Sequence, residues 1–295
     1  MRSTKAAIFI PTYKNRYDEL LNCINDIEKY EVFVVFSSYD NIESYTNKYT
    51  WKDHVHTLVS DAKTIGLKRQ FGLDAIYDKG FTYAIQFDDD NRAFGAKITP
   101  ETKRKTSNSY AKQKISIEEL VDKLVETAEK YDAAFVSPSL EFSIGFSQPG
   151  KVFVNRSITS GQCTLQNVKQ LREHNLHYEA EEMINEDIVL LFEILRNGLT
   201  AVTVGDYCYC VLGASNKAEN SLVNYDDRYD ILHKNMYVKY PNVISLYLDK
   251  QDRIRIKTKW KNFPDNTQEI TDPVFYEICK GSDIEAIKKY IKENY

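Results

Sequence analysis

Apolar residues in the first third of the chain fall in short unbroken runs, with helical-spaced polar stretches between them. Ala6-Ala-Ile-Phe-Ile10 and Val32-Phe-Val-Val-Phe36 contain no alternating polar positions. That is the pattern of a strand covered on both faces, as in a parallel sheet. His54–Val59 and Phe81–Phe87 read as further strands, and Asp18–Tyr30 and Ile65–Lys79 as helices. The resulting order predicts an α/β fold with right-handed crossovers. Gly95–Ser116 has no apolar period and reads as a long loop. Ser116 with Glu119 three positions on predicts a capped helix to Tyr131.

Ala133–Val136 reads as another strand, and Glu141–Phe146 with Val152–Val154 as a hairpin about Pro149-Gly150. Asn185–Asn197 reads as a helix with Ile188, Leu191, Phe192 and Leu195 on one face and Gly198 as its stop. Thr200–Val204 and Tyr207–Leu212 continue the sheet. Past Gly213 the pattern changes. Asn216–Asp230 is polar, Val243–Leu248 and Arg253–Trp260 read as strands, and Thr271–Tyr295 as a helix pair broken at Gly281-Ser282. The boundaries predict one domain over residues 1–215 and a small C-terminal α+β extension over 216–295.

Composition narrows the class. With 295 residues, 42% hydrophobic and 28% charged, the chain is an ordinary soluble globular protein. A net charge of −4 excludes chain-wide attraction to nucleic acid and leaves room for local basic patches. The cysteines Cys23, Cys163, Cys208, Cys210 and Cys279 are odd in number and lack framework spacing. With no signal peptide read at the N-terminus, they fit a reducing cytoplasm. Cys208 and Cys210 read as strand positions rather than a zinc pair, since no second pair stands at usable spacing. No apolar run approaches the length of a membrane span, so no membrane is expected.

Four segments carry candidate chemistry. The strand ending at Phe87 runs into Asp88-Asp89-Asp90. Three adjacent like charges repel one another unless a cation lies among them, and carboxylate oxygens suit Mg²⁺ or Mn²⁺. Asp88 and Asp90 point the same way on an extended segment, which makes them the expected metal pair. After the first strand come Pro11-Thr12-Tyr13-Lys14-Asn15-Arg16, a rigid turn with an aromatic face and two cations suited to a nucleobase and a phosphate. Gly66-Leu-Lys68-Arg69-Gln70 opens a helix. Two cations at that end oppose the helix dipole, and an anion between them would restore the balance. Asn185-Glu186-Asp187 opens a later helix and offers a carboxylate as general base for an acceptor hydroxyl.

A strand ending in Pro-Thr-Tyr, a Gly-x-Lys-Arg-Gln helix start, Phe-Asp-Asp-Asp, and a Glu-Asp that opens a late helix together resemble a GT-A glycosyltransferase over about residues 6 to 213. The opening Phe-Ile-Pro-Thr resembles the TET-associated glycosyltransferases of phages. The resemblance implies a Rossmann-like, mixed but mostly parallel central sheet flanked by helices, and a metal-dependent transfer from a nucleotide-diphosphate sugar, a UDP-sugar foremost. It implies that Asp88 and Asp90 form the metal-binding Asp-x-Asp, with Asp89 near the sugar or ribose. Arg69 and Gln70 match the family's Ala-Arg-Asn helix start, and Glu186 or Asp187 its base. Pro11, Thr12, Tyr13, Arg16, Lys68 and Arg69 would then line the donor site. The Asp-Gly-Ser usual after the second strand is replaced here by Ser37-Ser-Tyr-Asp40, so Asp61 stands as a second candidate for the nucleobase. His233 is the candidate third metal ligand.

The implied acceptor is a hydroxymethylated base in DNA. Arg253, Arg255, Lys257 and Lys259 alternate with mostly apolar residues and would put cations on one strand face, able to follow a phosphate backbone. A saccharide or protein acceptor, a sugar-phosphate nucleotidyltransferase and a non-catalytic DNA-binding module are the alternatives. The absence of glycine from Pro11–Arg16 counts against the nucleotidyltransferase, and the intact carboxylates count against the binding module.

Overall fold

The structure, a computed structural model, describes residues 3–12, 24–38, 50–89, 91–98, 112–140, 151–158, 161–178, 185–211, 227–263, 272–281 and 283–295, with single positions at 40, 42, 43, 47 and 270. The chain divides into two compact units, Met1–Ser215 and Asn216–Tyr295.

In chain order the first unit contains β1 (Ala6–Pro11), β2 (Glu31–Ser37), β3 (Val55–Ser60), α1 (Ile65–Asp78), β4 (Tyr83–Phe87), β5 (Asn91–Ile98) and β6 (Lys112–Lys114). It continues with α2 (Ile117–Tyr131), β7 (Ala133–Leu140), β8 (Val152–Val154), β9 (Cys163–Asn167), α3 (Val168–Glu173), α4 (Glu186–Arg196) and β10 (Thr200–Val211). Among the described residues these strands form one ten-stranded mixed sheet flanked by helices. Its order is β3-β2-β1-β4-β9-β7-β10-β5-β6, with β8 on β10.

The half from β3 to β4 is parallel throughout. Every residue of β1 and β4 is buried, as an unbroken apolar run requires. β2 and β3 lie on one side of β1, and the chain then crosses to place β4 on its other side. That reversal opens a crevice beyond the carboxyl ends of β1 and β4, where open α/β sheets take their ligands. Beyond β4 the sheet is mixed. β9 runs antiparallel between β4 and β7, β10 is parallel to β7, and β5 is antiparallel to β10.

Two features fix how α1 lies on this sheet. Thr64 caps it, its hydroxyl accepting from the Leu67 N–H at 3.2 Å. Gly72 then lets it approach β1 closely, since a Cβ there would stand 2.5 Å from Phe9 Cδ2. One turn before this contact sit Lys68 and Arg69, which the close approach holds near the strand ends.

Several elements depart from the sequence pattern. Part of the expected loop 95–116 is strand, in β5 and β6. β6 ends the sheet, where a Lys-Gln-Lys strand is at home because cations protect an open edge. β9, Cys-Thr-Leu-Gln-Asn, gives no strand signal in sequence, yet all five residues are buried because strands flank it on both sides. α3 is likewise unexpected. Residues 200–211, which fall within two expected strands, form the single β10 with a register shift between Val204 and Cys208, and 212 lies outside the described residues. Within the expected helix Asp18–Tyr30, Ile24–Asp26 forms one 3-10 turn and 13–23 lie outside the described residues. Residues 141–150 of the expected hairpin also lie outside them, and β8 pairs with β10.

The second unit contains α5 (Asp227–Lys239), β11 (Ile244–Leu248), β12 (Ile254–Thr258), α6 (Pro273–Gly281) and α7 (Ile284–Asn294). β11 and β12 form an antiparallel pair. α5 begins inside the stretch 216–230 that sequence gave no helical pattern. α6 ends at Gly281, at the expected break, and α7 starts at Ile284, with the Asp283 carboxylate accepting from the Ala286 N–H at 2.8 Å. Tyr237, Phe275, Cys279, Ile287 and Ile291 are buried within this unit. Cys163 and Cys279 are free thiols, and they and Cys208 are buried. Among the described residues no helix is long and apolar enough to cross a membrane.

Candidate active site

The site is built on the ends of β1, β2 and β4 and the first turns of α1 and α4. Thr12, just past β1, is buried, and both its N–H and its hydroxyl donate to Val35 O, at 2.9 and 3.2 Å. This ties the end of β1 to β2. The Lys68 ammonium donates to Thr12 O at 2.6 Å and lies 4.0 Å from Asp40 Oδ2. That same oxygen accepts from the Ser37 N–H at 2.7 Å. Burial lowers the Lys68 pKa, while Asp40 and Asp89 pull it back up.

Arg69 is the centre of the arrangement. Its Nη2 donates to both oxygens of Asp88, at 2.9 and 2.7 Å, and its Nη1 donates to Glu186 Oε1. Asp88 also accepts from Gln86 Nε2 at 2.9 Å, and its N–H donates to Gln162 O at 2.8 Å. Arg69 thus joins Asp88, just past β4, to Glu186, which opens α4 and lies 117 residues from Arg69 in sequence. The anions that offset the two helix-start cations are the chain's own Asp40, Asp88 and Glu186.

Glu186 is 5% exposed. Burial raises its carboxyl to about 7, against the Arg69 guanidinium that pulls it down, and neighbouring Asp187 adds to the rise. The turn into α4 is made by Asn185 at φ 63°, a left-handed conformation that asparagine tolerates better than most residues. Asp187 is only half-buried and lies over Gly161, which has φ 120°. A Cβ at Gly161 would stand 3.5 Å from Asp187 Oδ2 and 3.7 Å from the Tyr209 hydroxyl. The positive φ calls for glycine there, while the contacts a Cβ would make are ordinary van der Waals ones.

Of the residues singled out in sequence, Pro11, Thr12, Lys68, Arg69, Asp88, Asp89, Glu186 and Asp187 belong to these elements. Asp89 is 4% exposed. Asp61 is exposed, one residue past β3. Tyr13, Arg16 and Asp90 lie outside the described residues. His233 is on α5 in the second unit, buried, with Nδ1 2.7 Å from Ile254 O, and burial lowers its pKa. Arg253 and Arg255, also in that unit, both bind Asp249 Oδ2, at 2.7 and 2.9 Å. Hydrogen bonds from Arg253 foremost hold the Asp249 carboxyl well below its ordinary value. Lys257 is exposed and Lys259 half-buried. Sequence reasoning did not find Gln86, Gly161, Tyr178 or Tyr209. A glutamine inside the apolar run Ala84-Ile-Gln-Phe87 was the one available signal.

Among the described residues no three His, Cys, Asp or Glu side chains gather as a cation site. The donor chemistry nonetheless suits a hard divalent cation. The Asp88 side chain retains 16% exposure, and Arg69 and Gln86 orient its oxygens.

A family model described as TET-Associated Glycosyltransferase matches residues 6–219. No curated protein matches the chain by sequence. Among solved structures, S. aureus TarS 1–349 in complex with UDP-GlcNAc is similar at a TM-score of 0.53 and 15% identity, over 81% of this chain and 67% of that one. Another structure of S. aureus TarS 1–349 has a TM-score of 0.53 and 15% identity, over 99% and 93% of the two chains. Mannosyltransferase PcManGT from Pyrobaculum calidifontis, in complex with GDP-Man and Mn²⁺, gives 0.49 and 14%, over 79% and 62%. The two TarS likenesses identify a shared fold.

Proposed function

The chain belongs to the TET-Associated Glycosyltransferase family and is a nucleotide-sugar-dependent glycosyltransferase; from that premise we propose that it moves a hexose from a UDP-sugar to a hydroxymethylated base in DNA, with Asp187 as general base. The observation that carries this reading is the Arg69 guanidinium held between Asp88 and Glu186. It brings the donor-side carboxylate and the start of α4 to one place.

The residues divide the work. Asp88 and Asp90 would hold Mn²⁺ or Mg²⁺, and Arg69 and Gln86 keep Asp88 in position. When bound, the metal supplies Lewis-acid stabilisation of the leaving diphosphate. Pro11, Thr12, Tyr13 and Arg16 would bind the nucleotide, with Asp61 or Asp40 for the base. Lys68, Arg69 and Asp89 set the local charge. Glu186 anchors Arg69, which leaves the more exposed Asp187 to take the acceptor proton. The acceptor oxygen then bonds to the anomeric carbon as the bond from that carbon to the diphosphate oxygen breaks. The bonding pair leaves with the nucleoside diphosphate, and the configuration inverts. UDP is the first nucleotide to test, since TarS 1–349 is described in complex with UDP-GlcNAc. The proposed compartment is the cytoplasm, consistent with the free thiols.

The test is transfer from a panel of UDP-hexoses, with Mn²⁺, to hydroxymethylated DNA followed by mass spectrometry of the digested bases. Asp187→Asn should lower the rate on the order of 10²–10⁴-fold. An undiminished rate would remove Asp187 as the base. Sugar appearing on a saccharide or protein while the DNA stays unmodified would replace the acceptor.

A further inference from the structure

Behind Asp88 lies a file of buried polar groups of which the reaction as described uses only the nearest, Gln86. Gln86, Gln166 and Tyr178 are 0%, 0% and 2% exposed. Gln166 Nε2 donates to the Tyr178 hydroxyl at 2.8 Å. That hydroxyl donates to Gln86 Oε1 at 3.3 Å, and Gln86 Nε2 donates to Asp88 Oδ1 at 2.9 Å. Every donor points toward the carboxylate. Gln166 Nε2 also reaches Thr164 Oγ1 at 3.2 Å, while Gln166 Oε1 has no partner among the described groups. The amide is therefore turned so that its nitrogen serves the chain.

Buried polar groups are ordinarily hydrogen-bonded, so satisfaction alone would mean little. Direction is the informative part. An amide can be turned either way, and only one way presents N–H to an anion. The acceptor-only Asp88 carboxylate and the Tyr178 hydroxyl ask for the same orientation of Gln86, one taking its N–H and the other donating to its carbonyl oxygen. Without the Tyr178 proton, Gln86 loses the bond that holds its carbonyl, and its N–H is held less firmly against Asp88. Burial raises the Tyr178 hydroxyl pKa, so it keeps the proton it donates. Donors aligned in series also polarise one another, which strengthens the last bond in the file.

We infer that Tyr178 and Gln86 are positioning residues of the transfer reaction, a one-way relay that fixes the Asp88 carboxylate. The inference rests on Asp88 being the donor-side carboxylate. Tyr178 also lies on the stretch between β9 and α4, and its backbone N–H donates to Gln70 Oε1 on α1 at 2.9 Å. One residue therefore links β4 and β9 through its hydroxyl and α1 through its backbone N–H, behind the site.

Two readouts on the full chain test this. The first needs no substrate: the side-chain amide resonances of the ¹⁵N-glutamine-labelled protein, with Gln86 assigned from its loss in Gln86→Met. Tyr178→Phe should move the Gln86 signal away from its carboxylate-bonded position. An unmoved signal overturns the relay. The second is turnover of UDP-hexoses with Mn²⁺ and hydroxymethylated DNA. Tyr178→Phe and Gln86→Met should lower kcat by roughly 10-fold, the size of effect seen when partners of ligating side chains are removed. KM for the donor should stay within about twofold, since the lost interaction acts on the reacting centre.

Ser116→Ala, which removes the α2 cap and touches none of these bonds, should melt earlier and keep wild-type kcat. An equal fall in kcat for Ser116→Ala and Tyr178→Phe would reduce the effect to general stability and overturn the inference. Full turnover in Tyr178→Phe beside an inactive Asp88→Asn overturns the relay and leaves the site reading standing. Full turnover in Asp88→Asn overturns that reading and this inference with it.

Discussion

Arg69 is 5% exposed and faces two carboxylates that lie far apart in sequence. Its partner Glu186 makes the balance of burial and charge measurable. Burial lifts the Glu186 carboxyl to about 7 against the pull of Arg69. The folded pKa lies above the ordinary value of 4.5, so the group favours folding while it is protonated. That contribution is complete below the unfolded pKa and is lost as pH rises through about 7. Glu186→Gln stays neutral and should escape this loss. Urea titrations between about pH 5 and about pH 8 should show wild type losing on the order of 1–3 kcal/mol relative to the variant. A wild type that gains stability over that window would mean the guanidinium outweighs burial. The carboxylates themselves were legible in sequence, because Asp88-Asp89-Asp90 and Glu186-Asp187 are charges set beside apolar runs. That one arginine bridges them was not. The pairing depends on two helices and a strand meeting, and no local pattern encodes that meeting.

The contact between α1 and β1 decides whether the cations reach the strand ends at all. Gly72→Ala would put its Cβ 2.5 Å from Phe9 Cδ2, inside any real contact distance, and Phe9 is itself 0% exposed. Overpacking of this kind costs about 1–3 kcal/mol. Chemical denaturation should show that loss in Gly72→Ala, and Phe9→Leu in the same chain should recover part of it. A neutral Gly72→Ala would mean the helix shifts freely on the strand. The buried strands β1, β2 and β4 were plain in sequence because their runs are apolar but for Gln86 and the end residues Glu31 and Ser37. So was the start of α2, where Ser116 accepts from the Glu119 N–H at 3.0 Å. β9 was not, because Thr164 and Gln166 look like surface residues until Gln166 is seen to donate to Thr164 and to the buried Tyr178. β5 was hidden as well, since its polar sequence follows from its place near the sheet edge.

For the whole molecule, net charge and local charge pull different ways. The chain carries −4, yet β12 and its flanks present cations at 253, 255, 257 and 259. Arg253 and Arg255 are held by Asp249, so the exposed Lys257 and its neighbour Lys259 are the cations left to meet phosphate in the proposed DNA contact. Lys257→Glu with Lys259→Glu should weaken binding to duplex DNA and reduce the salt slope of log K by about 1–2. Affinity measured against salt concentration checks this, and an unchanged slope would return the strand to a plain solvated edge. The sequence alone determined the parallel half of the sheet, the carboxylate segments and the change of character past Gly213, since continuous burial, like-charge clustering and polarity are written in neighbouring residues. Only the tertiary structure decided the mixed half, the partners of Lys68 and Arg69, and the buried file behind Asp88. Each of these depends on groups distant in sequence sharing one dry environment, where a charge or a hydrogen bond takes its meaning from what lies opposite.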